Sequence, residues 1–252
     1  MKIQKVFVVL LLSALLSSCA GNTRNSPSGG NEAAEINMRL GLNYMQRGDY
    51  VFAMEKLEKA LQQDPNLPSA HNTIAILYQR LGEEEKAEHH YKRAVDLAPE
   101  YSEAQNNYGA FLCRQQRYDE AEARFLRAVE NPLYRSAAQA YENAGLCAMQ
   151  EQQLKEAESY FRRALQIEPT LSKSLLQMAE ISYRQQNYLQ ARGYMQRFHD
   201  ASTWTAEALL LGIRIENKLG DEDAVASYIL ILRSRFPDSD EMLLVNQGVE
   251  DL

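Results

Sequence analysis

The chain has 252 residues, 27 Lys and Arg against 34 Asp and Glu, and a formal net charge of −7. An acidic chain repels phosphate backbones, which excludes nucleic acid as the expected partner, and the length suits one or two domains. Three cysteines do not make a disulfide framework. The sequence also lacks a phosphate-cradling glycine loop, zinc-spaced cysteine pairs, HExxH and GxSxG, so neither an enzyme nor a cofactor is expected.

Lys2 and Lys5 give the chain a positive start, Val6 to Leu16 an apolar core, and the small residues Ser17 and Ser18 precede Cys19. Together they read as a secretory signal over residues 1–18. The apolar run is shorter than the roughly 20 residues of a membrane-spanning helix. Leu16-Ser17-Ser18-Cys19 resembles the bacterial lipobox. That resemblance implies that the Cys19 thiol takes a diacylglyceryl group, that the leader is cut before it, and that the new amino end is acylated. Each buried CH₂ of an acyl chain contributes about 0.8 kcal/mol, and more than one chain makes the hold on a bilayer stable. A plain secretory leader and an uncleaved anchor are the rival readings. Ala20 stands where inner-membrane lipoproteins tend to carry Asp, so similarity to that sorting rule implies the outer membrane, with the protein on its periplasmic face. Loss of the leader removes two lysines and leaves a net charge of −9. Residues 19–33, CAGNTRNSPSGGNEA, hold no large apolar side chain and read as a tether with a reach of roughly 20 Å.

From residue 34 to the end one pattern recurs. Ile74-Ala75-x-x-Tyr78, Leu81-Gly82, Ala87-x-x-x-Tyr91-x-x-Ala94 and Pro99 define a unit over residues 68–101. The same slots hold Leu40-Gly41, Tyr44, Gly48, Ala53, Leu57, Ala60 and Pro65 in residues 34–67, and Tyr108-Gly109, Ala121, Phe125 and Ala128 in 102–135. They return as Ala144-Gly145, Ala157, Phe161, Ala164 and Pro169 in 138–171. Weaker copies follow in 172–204 (Met178-Ala179, Ala191, Met195, Phe198) and 205–238 (Leu211-Gly212, Ala224, Tyr228, Pro237). Each unit carries two amphipathic stretches around a turn. Small residues at Gly41, Ala75, Gly109 and Gly145 let the paired helices approach closely, and the prolines end the second helix. No unit can bury its apolar face alone, so the units must stack. A two-residue slip around Asn131 to Ala138 predicts a longer or bent connection there, and Glu241 to Val249 a short terminal cap. The pattern resembles the tetratricopeptide repeat. It implies an all-α, right-handed superhelical solenoid of about six helix-turn-helix units with a C-terminal capping helix.

Among the remaining residues, Cys113 and Cys147 read as buried small side chains rather than as a bridge. His89 and His90 read as a solvated helix face, His71 as packed between helices, and His199 as a cation near a helix end. The concave face, built by the first helix of each unit, is the expected platform for a partner. Projection onto that helix places Met38, Leu42 and Met45 inward from the first unit, Asn72, Ile76, Gln79 and Arg80 from the second, and Asn106 from the third. The first unit stands out because its three groove positions are apolar and two are methionine, which adapts to varied surfaces. In the rival reading the tether covers them. The lysines of a carboxylate clamp are missing, so an apolar helical or extended segment fits better than a charged C-terminus.

The lipobox, the tether, the six repeats and the stretch YGAFLCRQQRYDEAEARF (Tyr108 to Phe125) together resemble the type IV pilus pilotin family, PilF or PilW, over the whole chain. That resemblance implies a monomeric outer-membrane lipoprotein that binds secretin subunits and promotes their localisation and multimerisation. The alternative is an adaptor lipoprotein for peptidoglycan enzymes, proteases or outer-membrane barrel assembly.

Overall fold

A computed structural model describes residues 28–248. Cys19 and residues 1–27 lie outside the described residues, as do 249–252. Thirteen α-helices and no strand occur among the described residues. They form six antiparallel pairs: α1 (Ser28–Gln46) with α2 (Tyr50–Gln63), α3 (Pro68–Arg80) with α4 (Glu84–Leu97), and α5 (Ser102–Arg114) with α6 (Tyr118–Val129). Then come α7 (Ala137–Gln150) with α8 (Leu154–Ile167), α9 (Ser172–Arg184) with α10 (Tyr188–Ala201), and α11 (Ala206–Leu219) with α12 (Glu222–Arg235). A short α13 (Asp240–Gln247) closes the series. Each helix packs on its pair mate and on the first helix of the next unit, the arrangement of a helical solenoid.

The small-residue slots do what the sequence requires of them. A Cβ added at Gly41 would stand 2.6 Å from Leu57 Cγ, and one at Gly145 would stand 2.7 Å from Phe161 Cε1. The helices of a pair therefore touch through glycine, and a larger residue would force them apart. Second-helix rings then bridge to the following unit: Tyr91 of α4 stacks on Tyr108 of α5 with ring centres 5.7 Å apart.

α1 begins at Ser28, inside the stretch 19–33 that the composition reads as a tether, so residues 28–33 are helical instead. Ala34 on this helix is fully buried against Ala60, Leu67 and Ala70, and that packing holds the first turns of α1 against the solenoid. The connection from α6 to α7 spans residues 130–136, whereas 98–101 suffice between α4 and α5. Inside it Tyr134 is buried with Ala128 and Ala140, and the Leu133 amide donates to Asn131 Oδ1 at 3.0 Å. The extra residues thus make an ordered corner.

Candidate partner-binding surface

The concave face is more fully used by the protein itself than the projection of single helices predicts. Met45 is only 3% exposed, packed with Ala53, Leu57, Ile74 and Leu77 in the seam between the first two units. Its place in an open groove is therefore corrected: Ile74 and Leu77 of the next unit cover it. Met38 and Leu42 are half-buried against the same cluster, and Ile76 is half-buried beside them. Asn72 is buried and its Oδ1 accepts from Asn107 Nδ2 at 3.2 Å, while Asn106 Oδ1 accepts from Asn143 Nδ2 at 3.0 Å. These amides form a ladder that ties consecutive first helices together. Gln79 Oε1 accepts from the Tyr91 hydroxyl at 2.9 Å, and burial pushes that phenol well above its ordinary pKa. Arg80 alone among these groove residues is exposed, its guanidinium 3.5 Å from the Met45 carbonyl oxygen.

Two features run against the sequence reading. Cys113 and Cys147 form a disulfide with Cα atoms 5.8 Å apart. Their separation of 34 residues is one repeat period, which brings the side chains of neighbouring first helices together. His90 does not lie on a solvated face: its Nδ1 is 2.8 Å from His71 Nδ1, and its ring stacks on Tyr78. His71 Nε2 lies 3.0 Å from the Pro65 carbonyl oxygen. A carbonyl only accepts, so Nε2 carries the proton of His71 and the bare Nδ1 accepts from His90. Burial, with the neighbouring His71 and His89, pulls the His90 pKa down to about 4.

Exposed apolar surface gathers instead on the outer parts of the first unit. Val51 is 82% exposed, Phe52 54%, Ile36 50% and Leu40 42%. Ile36, Leu40 and Tyr44 follow one another at four-residue steps on α1, and Phe52 of α2 meets the Tyr44 ring at 5.5 Å. On the neighbouring flank, Tyr50, Val51, Met54, Glu55, Glu58 and Leu81 line a cavity of about 420 Å³. A related cavity of about 520 Å³ recurs at the junction of the fifth and sixth units, with Tyr188, Leu189 and Leu219 in its wall. The corresponding recess between the third and fourth units is lined by Gln116, Arg117, Asp119, Glu120 and Glu151 around Tyr118, and it is polar. Among the described residues no group of three or more His, Cys, Asp or Glu is placed to hold a metal ion, and no helix is long and apolar enough to cross a membrane.

A single-helix projection missed this surface, yet comparing slots between units finds it. The Phe52 position is occupied by Lys86, Glu120, Glu156 and Gln190 in the next four units. Only the first unit puts a large apolar ring there.

Residues 72–133 and 112–171 match the tetratricopeptide repeat family, and residues 41–82 match a further TPR repeat family. The type IV pilus assembly protein PilF of Pseudomonas aeruginosa is 34% identical over 236 residues, covering 92% of this chain and 94% of PilF. A solved structure of P. aeruginosa PilF superposes with a TM-score of 0.81 at 35% identity, covering 87% of this chain and 99% of that one. The structure of PilW, described as a widely conserved type IV pilus biogenesis factor, gives a TM-score of 0.77 at 31% identity over 86% of this chain and 99% of PilW. At this identity and over nearly the whole length of these relatives, the chain belongs to the PilF and PilW family of type IV pilus tetratricopeptide proteins.

Proposed function

We propose that this protein is a pilotin, a non-enzymatic outer-membrane lipoprotein that binds secretin subunits and promotes their localisation and multimerisation. The first unit holds the partner and Cys19 holds the membrane. The observation that carries the binding half is the gathering of four exposed apolar side chains, Val51, Phe52, Ile36 and Leu40, on the first unit of an acidic chain. Family membership supports the pilus role, and the Leu16-Ser17-Ser18-Cys19 motif supports the anchor. Binding rests on apolar burial, so no turnover and no cofactor are involved. Secretin multimers in a Cys19→Ser strain test the delivery role. They should be lost from the outer membrane or found in the inner one; unchanged multimers in the outer membrane would contradict delivery by this lipid.

A further inference from the structure

The first unit lacks something that every later unit has. The residue before the small slot is Ile74, Tyr108, Ala144, Met178 or Leu211 in the second to sixth units, and all five are at most 5% exposed. The preceding unit's second helix covers them: Ile74 packs with Ala53 and Leu57 of α2, and Tyr108 stacks on Tyr91 of α4. Leu40 holds this slot in the first unit, and no helix among the described residues lies over it. Four residues earlier the second to fifth units repeat the pattern: Ala70, Ala104, Ala140 and Ser174 are fully buried, whereas Glu207 of the sixth unit is exposed and Ile36 stands half in solvent.

The geometry points to a partner's amphipathic helix docked on Ile36, Leu40 and Tyr44, in the place of the second helix of a missing preceding unit, with Phe52 at the edge of that face beside Tyr44. This deepens the reading of the first unit as the binding region and rests on that reading for the partner's identity. The face belongs to an interface that already recurs along the molecule, and its usual occupant is always a helix. The recurring pattern of that occupant is Ala53-x-x-x-Leu57-x-x-Ala60 in α2, with Ala60 against Ala70. Ile36 replaces the small residue found at that slot in the second to fifth units, so the incoming helix needs glycine or alanine opposite it. A leucine or aromatic residue one turn away would lie between Leu40 and Phe52. Asn43 is exposed where later units bury Leu77, Phe111, Cys147 and Ile181, and it sets a polar edge to the site.

Other occupants fit less well. A second copy offers no unpartnered second helix for the slot, since the last of them, α12, packs on α11 and α13. Residues 20–27, AGNTRNSP, contain no large apolar side chain to cover the face.

The test uses the chain from residue 19 onward with Cys19→Ser, and a stapled, fluorescent helix with the sequence of residues 50–63 carrying Ala60→Gly. Anisotropy should show saturable binding that weakens by at least about tenfold in Leu40→Glu and is unchanged in Leu230→Glu, an exposed leucine on α12. A probe with Leu57→Glu should not bind. Absence of saturable binding, or equal binding to the Leu40→Glu chain, overturns the inference. So does a dimer in sedimentation, or vesicle flotation of the unlipidated chain, that Leu40→Glu abolishes. Pull-down of the secretin separates this from the broader reading. Capture that survives Leu40→Glu refutes the helix site and leaves the pilotin role standing, whereas no capture by the wild-type chain refutes the pilotin role while the probe still tests the face.

Discussion

The two ends of the solenoid are finished in different ways. At the C-terminal end α13 packs on α11 and α12 as a next first helix would, with Met242 only 2% exposed beneath it. Side chains cap the helices there: Asp221 Oδ1 accepts from the Ala224 amide at 3.1 Å and Ser239 Oγ from the Met242 amide at 3.2 Å. Arg192 pairs with the buried Glu216 and with Asp221. At the N-terminal end no helix among the described residues covers the first unit, and Ile36, Leu40 and Phe52 meet solvent. A repeat array needs a polar or covered face at each terminus to stay soluble. On the proposed function the apolar end serves a partner, while the other end is closed by the protein's own α13.

The comparison can be broken from the capped end first. Met242→Ala should cost roughly 2–5 kcal/mol. In a stack coupled only through neighbours the loss should appear as faster amide exchange in α11 to α13 while α1 to α3 remain protected. Uniform exchange along the chain would show that the ends are not independent. The Cys113–Cys147 disulfide ties the third unit to the fourth and so separates the two halves. Its reduction should cost roughly 2–4 kcal/mol, read as a lower denaturation midpoint with dithiothreitol, and an unchanged midpoint would contradict a stabilising staple.

Acid should act on the N-terminal half. The folded His90 has its pKa near 4, below its ordinary 6.5, because burial disfavours the charged ring. The unfolded chain therefore takes up its proton first as pH falls. The stability from this residue is complete above about 6.5 and is lost between there and about 4, amounting to roughly 2 kcal/mol at pH 5. The His71 pKa is lowered for the same reason and adds in the same direction. Melts at pH 7 and pH 5 check this, and a loss of protection confined to α10 to α13 would contradict it. The smallest effect is expected from Asp221→Ala, about 1 kcal/mol from the lost cap, measured as a shift in urea midpoint without any change in partner binding.

Much of the fold was legible in the sequence because its determinants are local and periodic. The Gly41, Gly109 and Gly145 slots and the α6–α7 slip could be read from spacing alone, and the helices lie where the pattern puts them. What escaped were contacts made between units. Met45 projects toward the groove on an isolated helix, but Ile74 and Leu77 of the next unit close over it. Cys113 and Cys147 look unrelated in a helical chain until their separation is recognised as one period, which makes them neighbours. The turns also differ in a way that the glycine pattern hides. Gly48 and Gly82 supply positive φ in the first two units, whereas Gln116, Gln152 and Gln186 adopt it at 59°, 65° and 62° in the next three. Each of these glutamines takes the conformation that usually favours glycine just past a helix end, where its amide donates to the carbonyl of Cys113, Met149 or Tyr183.

The central claim is that the uncovered N-terminal end is where the partner binds. The most direct measurement is the amount of secretin that co-purifies with the lipidated chain, compared between the wild type, Phe52→Glu and Leu189→Glu, the last a control in the matching cavity of the fifth unit. The account predicts that Phe52→Glu loses most of the secretin with the helical melt intact and that Leu189→Glu retains it. Full capture by Phe52→Glu, or loss in Leu189→Glu alone, would contradict it.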